Sequence, residues 1–433
     1  MIVDQAKNSG NGYRERVVDA VLDEYLQGLS AVAIEGPKAV GKTATASRKA
    51  ATVFEFDRPQ VRELAEADFD QLLSSPKPIL FDEWQRYPPS QDLIRRAIDT
   101  DQSPGQFILT GSASPLSPPT HTGAMRIVRL RMRPMTLFER GVGTARVSLA
   151  EMVSGSRPEI RGRSLTNLGG YVDEIFLSGF PAIRSLSDRL RRAQLQGYVD
   201  RIVDQDFAEM GLTLRNPVAL RRWMAAYAAA ISTTAASDRI REAATPEDGT
   251  SPAKQTVSAH RDALERMWIV EPVPAWIPSR NHLGQLGVAP KHQLADPALA
   301  ATLLGLDKRS LLGPNPVGGG NFRDGTFLGA LFESLVTLNV RVFADAIDAR
   351  TSHLRVHRGD HEIDLIVEGQ GGQVVALEVK LSGEVDDDDV RHLKWLQREI
   401  GDELVDAAII TTGEFAYRRK DGIAVIPAAL LGP

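Results

Sequence analysis

The segment IEGPKAVGKTATA, which begins at Ile34, constrains the fold more than any other part of the 433-residue chain. Its two glycines, at positions 36 and 41, enclose four residues and are followed by lysine and threonine, which gives the G-x-x-x-x-G-K-[ST] pattern. An apolar run, AVAIEG, predicts a buried strand before the pattern, and TATASRKAATVF predicts a helix after it. A strand, a glycine-rich loop and a helix in this order predict a nucleotide-binding P-loop. The alternative is a glycine loop that matches by chance.

Each residue type in this loop suits the binding of phosphate. Glycines let successive N–H groups point into one concavity, and the following helix N-terminus adds its positive end. We expect the Lys42 ammonium to contact the β- and γ-phosphates and the Thr43 hydroxyl to bind Mg²⁺. The predicted nucleotide-binding residues of the loop are Gly36, Pro37, Lys38, Ala39, Val40, Gly41, Lys42, Thr43 and Ala44.

A second apolar run, PILFDEW, ends in two acidic residues and supports the same site. Ile79 to Asp82 is predicted to be a buried strand, and a carboxylate at such a strand end holds Mg²⁺ through water. Glu83 follows directly, where its carboxylate can polarise the attacking water. The alternative is a plain acidic turn after a strand.

Polar residues on two further segments are candidates for phosphate contacts. The strand predicted from QFILTGS ends at Thr110-Gly-Ser112, where a polar residue can sense the γ-phosphate, although this triplet is also an ordinary turn. In RIVRLRMRP, three arginines alternate with apolar residues and therefore share one strand face. They would line a phosphate site or a subunit interface, or they form a solvated edge strand.

The segment GDHEIDLIVEGQGGQVVALEVK predicts a second acidic site. Asp364 lies in one predicted strand, and Glu378 and Lys380 lie two residues apart in the next, so both point to one face. Asp364 and Glu378 can converge on a divalent metal, to which Glu333 on the preceding helix would add a third carboxylate. Lys380 would activate a water or stabilise the phosphate, as in the PD-(D/E)XK nuclease signature. The alternative is a cross-strand salt bridge of Lys380 with its acidic neighbours.

Composition and charge limit the classes of function. The formal net charge of −5 excludes a generic nucleic-acid coat, so any contact with nucleic acid would be local. The absence of cysteine excludes disulfides, thiolate zinc sites and a cysteine nucleophile. The acidic run from Glu384 to Asp389 is expected to be a solvated loop or helix start. Neither a signal-peptide pattern nor an apolar run of about 20 residues is found, so we expect a cytoplasmic protein.

The order of the predicted elements divides the chain into three parts. Alternating strands and helices predict a parallel sheet covered on both faces at the N-terminal end, followed by a helical region and a small α/β unit. The expected fold class is α/β. We expect a P-loop NTPase parallel-sheet domain (1–145), a helical and winged-helix-like domain (146–285) and a nuclease-like α/β domain (286–433).

Motifs along nearly the whole chain resemble those of one known family. They occur in the order GPKAVGKT, PILFDEWQRYP, GQFILTGSAS, LRMRPMTLFER, GFPAIR, YVDRIVDQDF, KHQLADPALAATLLG, GALFESLV and EIDLIV…ALEVK. The chain is similar to prokaryotic AAA-type (AAA+) P-loop ATPases that carry a C-terminal domain of unknown function 4143 with a PD-(D/E)XK restriction-endonuclease-like core. The resemblance implies ATP and Mg²⁺ as cofactors and Ser112 at the sensor position. It also makes Arg126, which is offset from the family's arginine, a candidate nucleotide contact.

The expected function is Mg²⁺-dependent ATP binding and hydrolysis coupled to a nuclease-like, DNA-directed C-terminal domain. The alternative is a slow, ATP-switched module that binds a protein or DNA and whose nuclease-like domain is catalytically inactive. A third reading is a nuclease to which ATP regulates access. The expected partners are ATP and either DNA or a protein, without a membrane, and an oligomer is left open.

Overall fold

The protein divides into two compact units. The computed structural model describes residues 12–111, 126–212, 214, 216–245, 249, 251–277, 289–312, 324–356 and 360–433. Unit 1 comprises Met1–Arg133, Ala208–Leu212 and Arg266–Trp268. Unit 2 comprises Pro134–Phe207, Thr213–Glu265 and Ile269–Pro433. The three domain boundaries expected from the sequence stay a prediction.

Unit 1 contains a five-stranded sheet. Its strands are β1 (Ala31–Glu35), β2 (Thr52–Glu55), β3 (Ile79–Asp82), β4 (Phe107–Gly111) and β5 (Ile127–Arg131). Its helices are α1 (Val17–Gly28), α2 (Lys42–Ser47), α3 (Pro59–Ala67), α4 (Phe69–Leu73) and α5 (Pro89–Thr100). The strand order is β2-β3-β4-β1-β5 and every pairing is parallel, which confirms the expected α/β fold with a parallel sheet.

The helix predicted from TATASRKAATVF is too long. Helix α2 ends at Ser47, and the last residues of that segment begin strand β2. Val53 and Phe54 pair in register with Leu80 and Phe81 of β3. β-branched and aromatic residues favour a strand, and the neighbouring strand supplies the hydrogen bonds that decide between the two structures.

The side chain of Phe81 lies at the centre of the core of unit 1. It is fully buried, and its ring stacks on those of Phe54, Phe56 and Phe69 at centroid distances of 5.8, 5.7 and 5.6 Å. Burying a phenylalanine contributes about 1.5–3 kcal/mol, and aromatic pairs add to this. The packing therefore fixes the end of β3, where the predicted carboxylate Asp82 follows.

Unit 2 contains a helical region and a seven-stranded sheet. The helices that follow in the chain are α6 (Leu149–Val153), α7 (Leu168–Leu177), α8 (Asp188–Arg201), α9 (Phe207–Glu209), α10 (Pro217–Ala229), α11 (Ser237–Ala243), α12 (Lys254–Arg266), α13 (Pro297–Leu303), α14 (Lys308–Leu312), α15 (Asp324–Asp345) and α16 (Arg391–Ile400). All of them belong to unit 2 except the last two residues of α9 and the last residue of α12, which belong to unit 1. A π-helical stretch, Ile202–Asp206, joins α8 to α9. The winged-helix-like character of the helical region stays a prediction.

The sheet of unit 2 mixes parallel and antiparallel pairings. The strands of this unit are β6 (Val147–Ser148), β7 (Gly162–Arg163), β8 (Arg350–Arg355), β9 (Glu362–Glu368), β10 (Val374–Lys380), β11 (Leu404–Thr411), β12 (Phe415–Arg418), β13 (Ala424–Pro427) and β14 (Leu431–Gly432). The large sheet has the order β7-β12-β13-β11-β10-β9-β8, and β14 pairs with β6. β10 pairs antiparallel with β9 and parallel with β11, so the predicted hairpin lies inside the sheet.

Helix α15 is the longest described helix of unit 2. Its stretch Phe327–Asp345 is long and apolar enough to cross a membrane by length and composition, yet 72% of it is buried inside the protein. Among the buried side chains are Leu331, Phe332, Leu335 and Val336. This burial is what the core helix of a globular domain shows, and α15, which carries Glu333, packs against β9 and β10.

Candidate functional site

The loop between β1 and α2 has the backbone geometry that the P-loop pattern predicts. Ala39 and Gly41 both have positive φ, at 67° and 103°, and Gly41 immediately precedes α2. Non-glycine residues rarely adopt such angles, and strained residues of this kind are concentrated at functional sites. Gly36 is required for another reason, because a Cβ there would lie 2.1 Å from the carbonyl oxygen of Met132.

The ammonium group of Lys42 lies inside this loop. Lys42 Nζ donates hydrogen bonds to the carbonyl oxygens of Gly36 and Pro37, both at 2.9 Å. The residue is 6% exposed. Burial lowers the pKa of Lys42 to about 8, although the Glu83 carboxylate opposes this shift. The loop therefore holds a lysine whose ammonium donates hydrogen bonds to two neutral carbonyl groups, which phosphate oxygens could replace.

The carboxylate of Asp82 lies next to the start of α2. Thr43 Oγ1 donates to Asp82 Oδ1 and Oδ2 at 2.9 and 3.0 Å, and the Thr110 hydroxyl donates to Oδ1. Asp82 and Thr110 are paired in the parallel register of β3 and β4. A hydroxyl beside a carboxylate is the oxygen donor set that Mg²⁺ prefers, and Thr43 is exposed to solvent, so these residues fit a magnesium ion.

Glu83 follows β3 in a left-handed backbone conformation. Its φ is 52° and its ψ is 43°, and its Oε2 accepts a hydrogen bond from the Gln85 side chain. The Glu83 carboxylate is also the main group that favours the charged form of Lys42. Glu83 is therefore held close to the loop by its neighbour, in a position from which its carboxylate could orient a water molecule.

The sequence analysis missed Gln85 and Arg16, and it named the triplet that contains Thr110 but assigned the sensor position to Ser112. The Arg16 guanidinium donates hydrogen bonds to the carbonyl oxygens of Val40 at 2.9 Å and Arg133 at 2.7 Å, so it links the loop to the residue Arg133. The signal for Thr110 was its position at the end of a strand beside β3. No local pattern marks Arg16, since it precedes the loop by a whole helix and strand.

The remaining predicted nucleotide contacts are placed as follows. Ser112 lies outside the described residues. Arg126 Nε lies 2.8 Å from Asp99 Oδ1, on the exposed end of α5, and its contact with nucleotide stays a prediction. Of the alternating arginines, Arg131 stacks on the ring of Trp268 with 3.7 Å between its Cζ and the ring centroid.

The three other loop residues that were predicted to contact nucleotide differ in exposure. Val40 is fully buried, and Ala44 is exposed on the first turn of α2. Lys38 Nζ lies 2.8 Å from Glu209 Oε2, which belongs to a short segment of the same unit. The Arg86 guanidinium contacts the same carboxylate at 3.2 Å. Lys38 is thus held by a carboxylate in this structure.

The predicted acidic residues of unit 2 converge on a lysine. Glu333 on α15 and Asp364 on β9 contact Lys291, and Glu378 on β10 lies beside Asp364; we call these four residues the C-terminal cluster. Lys291 Nζ lies 2.8 Å from Glu333 Oε1 and 2.9 Å from Asp364 Oδ1. Leu377 pairs with Leu365 in the antiparallel register, which places Glu378 beside Asp364.

Burial and mutual contact set the protonation of the C-terminal cluster. Burial opposes the charge of Lys291, but the carboxylates of Asp364 and Glu333 outweigh it and raise the pKa of the ammonium. Burial and the Asp364 charge raise the pKa of Glu333 to about 8. The same two causes raise the pKa of Glu378 well above its usual range. Asp364, despite its burial, has a lowered pKa because Lys291 and the Val379 N–H stabilise its charge.

The C-terminal cluster does not fit a divalent metal as the sequence predicted it would. In the part of the chain that the structure describes, no group of three or more His, Cys, Asp or Glu side chains is arranged to hold a metal ion. Lys380 does not join the cluster either, because its ammonium pairs with the Asp389 carboxylate. The acidic run is largely solvated, as expected, since Glu384 and the three residues Asp386 to Asp388 are exposed; Asp389 accepts the Asp386 N–H at 2.8 Å. This arrangement of side chains therefore does not support metal-dependent cleavage at the C-terminal cluster.

The family comparisons agree with the geometry of the loop. Residues 29–140 match the family described as AAA domain. Residues 169–310 match a domain of unknown function (DUF8612), and residues 328–431 match another (DUF4143). The chain therefore carries an AAA domain and, at its C-terminal end, a DUF4143 domain, which confirms the resemblance. The endonuclease-like nature of the C-terminal domain stays a prediction.

Similar proteins have also been found among curated and solved proteins. The chain is 25% identical over 412 residues to an uncharacterized protein of Mycobacterium bovis and to one of Mycobacterium tuberculosis. Each alignment covers 92% of this chain and 80% of the relative. A solved Walker-type ATPase of Pyrococcus abyssi is 14% identical, with a TM-score of 0.38, covering 66% of this chain and 94% of that one. The similarity to the mycobacterial proteins thus extends far beyond the AAA segment.

Proposed function

We propose that the protein binds ATP with Mg²⁺ and hydrolyses it at the loop between β1 and α2. The observation that carries the proposal is the hydrogen bond from the Thr43 hydroxyl to the Asp82 carboxylate, next to a loop that encloses the Lys42 ammonium. This combination offers a cation for phosphate and oxygen ligands for a metal in one place. The cytoplasmic location expected from the sequence is part of the same proposal.

The residues of the site have distinct roles in this reaction. Lys42 exchanges the carbonyl oxygens of Gly36 and Pro37 for phosphate oxygens, and it stabilises the charge that develops on the leaving group. Thr43 and Asp82 hold Mg²⁺, which neutralises phosphate charge when bound. Glu83, held by Gln85, orients and polarises the attacking water.

The test is ATP turnover by the purified full chain and by Lys42→Ala. Removing a single group that stabilises transition-state charge typically lowers kcat by about 100-fold or more. The matched control is Lys49→Ala, because Lys49 lies just after the same helix but pairs with Asp23 at 2.7 Å. We expect Lys49→Ala to keep its activity. Unchanged turnover in Lys42→Ala would contradict the proposal.

A second candidate function is an ATP-switched binding module with slow turnover. It is favoured by the Glu209 carboxylate, which contacts Lys38 of the loop and Arg86 beyond β3 at the same time. Phosphate at the loop would compete with Glu209 for Lys38, so the bound nucleotide could release this link. Adding DNA to the turnover assay separates the expected partners: stimulation supports a DNA-directed role, and no response favours a protein partner.

A further inference from the structure

The ammonium of Lys291 is held firmly within the C-terminal cluster. The backbone of Lys291 forms two reciprocal hydrogen bonds with the backbone of Val273, each 2.9 Å long. Its side chain is 1% exposed and reaches Glu333 and Asp364. The second oxygen of Asp364 accepts the Val379 N–H at 2.9 Å, so both oxygens of this carboxylate are engaged.

A divalent cation and the Lys291 ammonium would need the same space. Mg²⁺ binds oxygen ligands at about 2.0–2.1 Å. A metal that bound Glu333 Oε1 and Asp364 Oδ1 would therefore lie between these atoms, where Nζ already lies 2.8 and 2.9 Å from them. Moving the ammonium away would leave it buried without its partners, which is strongly unfavourable.

We infer that Lys291 is the resident cation of the C-terminal cluster and excludes divalent metals from Glu333, Asp364 and Glu378 in the native protein. The role of these carboxylates is then structural, since they tie α15, β9 and the segment around Lys291 together. The position of Lys380 is consistent with this structural role. Its ammonium, the group that would act on phosphate in a nuclease, forms an ion pair with Asp389 instead. The inference does not depend on ATP hydrolysis at unit 1.

The origin of Lys291 in the chain explains why the acidic pattern alone is misleading. The lysine lies within the segment 169–310, which matches one family, whereas the three carboxylates lie within 328–431, which matches another. It is 42 residues from Glu333 and 73 from Asp364. A C-terminal domain with the same carboxylates but without this lysine would have an open cluster.

The test is a titration of the full chain with Mn²⁺ alone, without nucleotide, followed by the electron paramagnetic resonance signal of free Mn²⁺. The starting protein carries Asp82→Asn, which removes the carboxylate that we propose to hold metal in unit 1. Three further proteins add Asp364→Asn, Lys291→Ala, or both. Circular dichroism and thermal unfolding establish that each protein is folded.

We expect the Asp82→Asn protein and its Asp364→Asn derivative to leave the same concentration of Mn²⁺ free. We expect the Lys291→Ala derivative to gain one bound Mn²⁺, which Asp364→Asn then abolishes. If Mn²⁺ binds while Lys291 is present and Asp364→Asn abolishes that binding, the inference is overturned. A folded Lys291→Ala protein that gains no site overturns the exclusion by Lys291.

If Lys291→Ala does not fold, the comparison between the Asp82→Asn protein and its Asp364→Asn derivative remains decisive, because both of these proteins keep Lys291. Glu378→Gln provides a second change on the same Asp82→Asn background and tests the carboxylate that lies beside Asp364. Equal Mn²⁺ binding by the Asp82→Asn protein with and without Glu378→Gln supports the inference. A loss of bound Mn²⁺ in the Glu378→Gln protein contradicts it.

Discussion

The P-loop of unit 1 and the C-terminal cluster of unit 2 both combine a buried lysine with carboxylates, but they pair these groups differently. In unit 1, Lys42 bonds to carbonyl oxygens, while Asp82 accepts hydrogen bonds from two threonine hydroxyls. In unit 2, Lys291 bonds directly to Glu333 and Asp364. The cation and the anion are kept apart in the first site and neutralise each other in the second.

This difference in pairing determines whether the charged groups of a site can exchange their partners for a ligand. A lysine bonded to neutral carbonyls can exchange them for phosphate oxygens, and a carboxylate bonded to hydroxyls can still accept a metal ion. A lysine bonded to buried carboxylates has no such freedom, since breaking the pair leaves uncompensated charge in a low-dielectric interior. Residue types alone therefore do not decide which site binds a ligand.

The largest expected effect is a loss of free energy of unfolding when Lys291 is replaced by methionine, compared with the same replacement of Lys42. Lys291→Met leaves buried carboxylates without a cation, and removing one partner of such a pair costs about 3–5 kcal/mol. Lys42→Met is the matched change; because burial already lowers the pKa of Lys42, we expect a smaller loss, of about 1 kcal/mol or less. Urea unfolding measures both.

The double variant Lys291→Met/Asp364→Asn sharpens this result. It removes one negative charge together with the positive one, so we expect it to be more stable than Lys291→Met alone. If Lys291→Met unfolds at the same urea concentration as the unchanged protein, Lys291 and its carboxylates do not form the stabilising cluster described above.

The next effect concerns catalysis and compares two glutamates. Glu83→Gln keeps the size of the side chain but cannot polarise water, so we expect turnover to fall by about 100-fold with ATP binding retained. Glu378→Gln is the matched change in unit 2, and we expect ATP turnover to be unaffected. Equal effects of the two substitutions on steady-state ATP hydrolysis would show that the two sites are not functionally different.

The smallest effect is a pH dependence of ATP binding. The pKa of Lys42 in the free protein is about 8, lowered by burial, and phosphate binds the charged form. Above this pH the free protein must take up a proton to bind ATP, so affinity should fall by up to about tenfold per pH unit. Binding of a fluorescent ATP analogue between pH 7 and 9.5 measures this fall. Constant affinity over that range would contradict a role for the Lys42 charge.

The sequence predicted unit 1 well because its site is encoded in short segments. The loop residues are consecutive, and Asp82 and Glu83 end an apolar strand, so local patterns place them correctly. Thr110 depends on the register between β3 and β4, which the sequence does not display. Strand β2 was predicted as helix because the decisive hydrogen bonds come from β3.

The sequence predicted less of unit 2, although the strands β9 and β10 and the helix α15 that precedes them are where the sequence predicted them. Strands β6, β7, β8, β12 and β14 were not predicted, and β7 and β8 lie at the edges of the large sheet. The acidic residues do come together as predicted. The acidic pattern could not predict the role of Lys291, because Lys291 reaches Asp364 through a tertiary contact between residues that are 73 positions apart.

The central claim is that one of the two sites accepts a divalent cation and the other does not. The most direct measurement is the number of Mn²⁺ ions bound per chain with and without a non-hydrolysable ATP analogue. We predict one Mn²⁺ per bound nucleotide, none without nucleotide, and no change in either number in Asp364→Asn. A further Mn²⁺ that disappears in Asp364→Asn, or the absence of any Mn²⁺ with nucleotide, would contradict the claim.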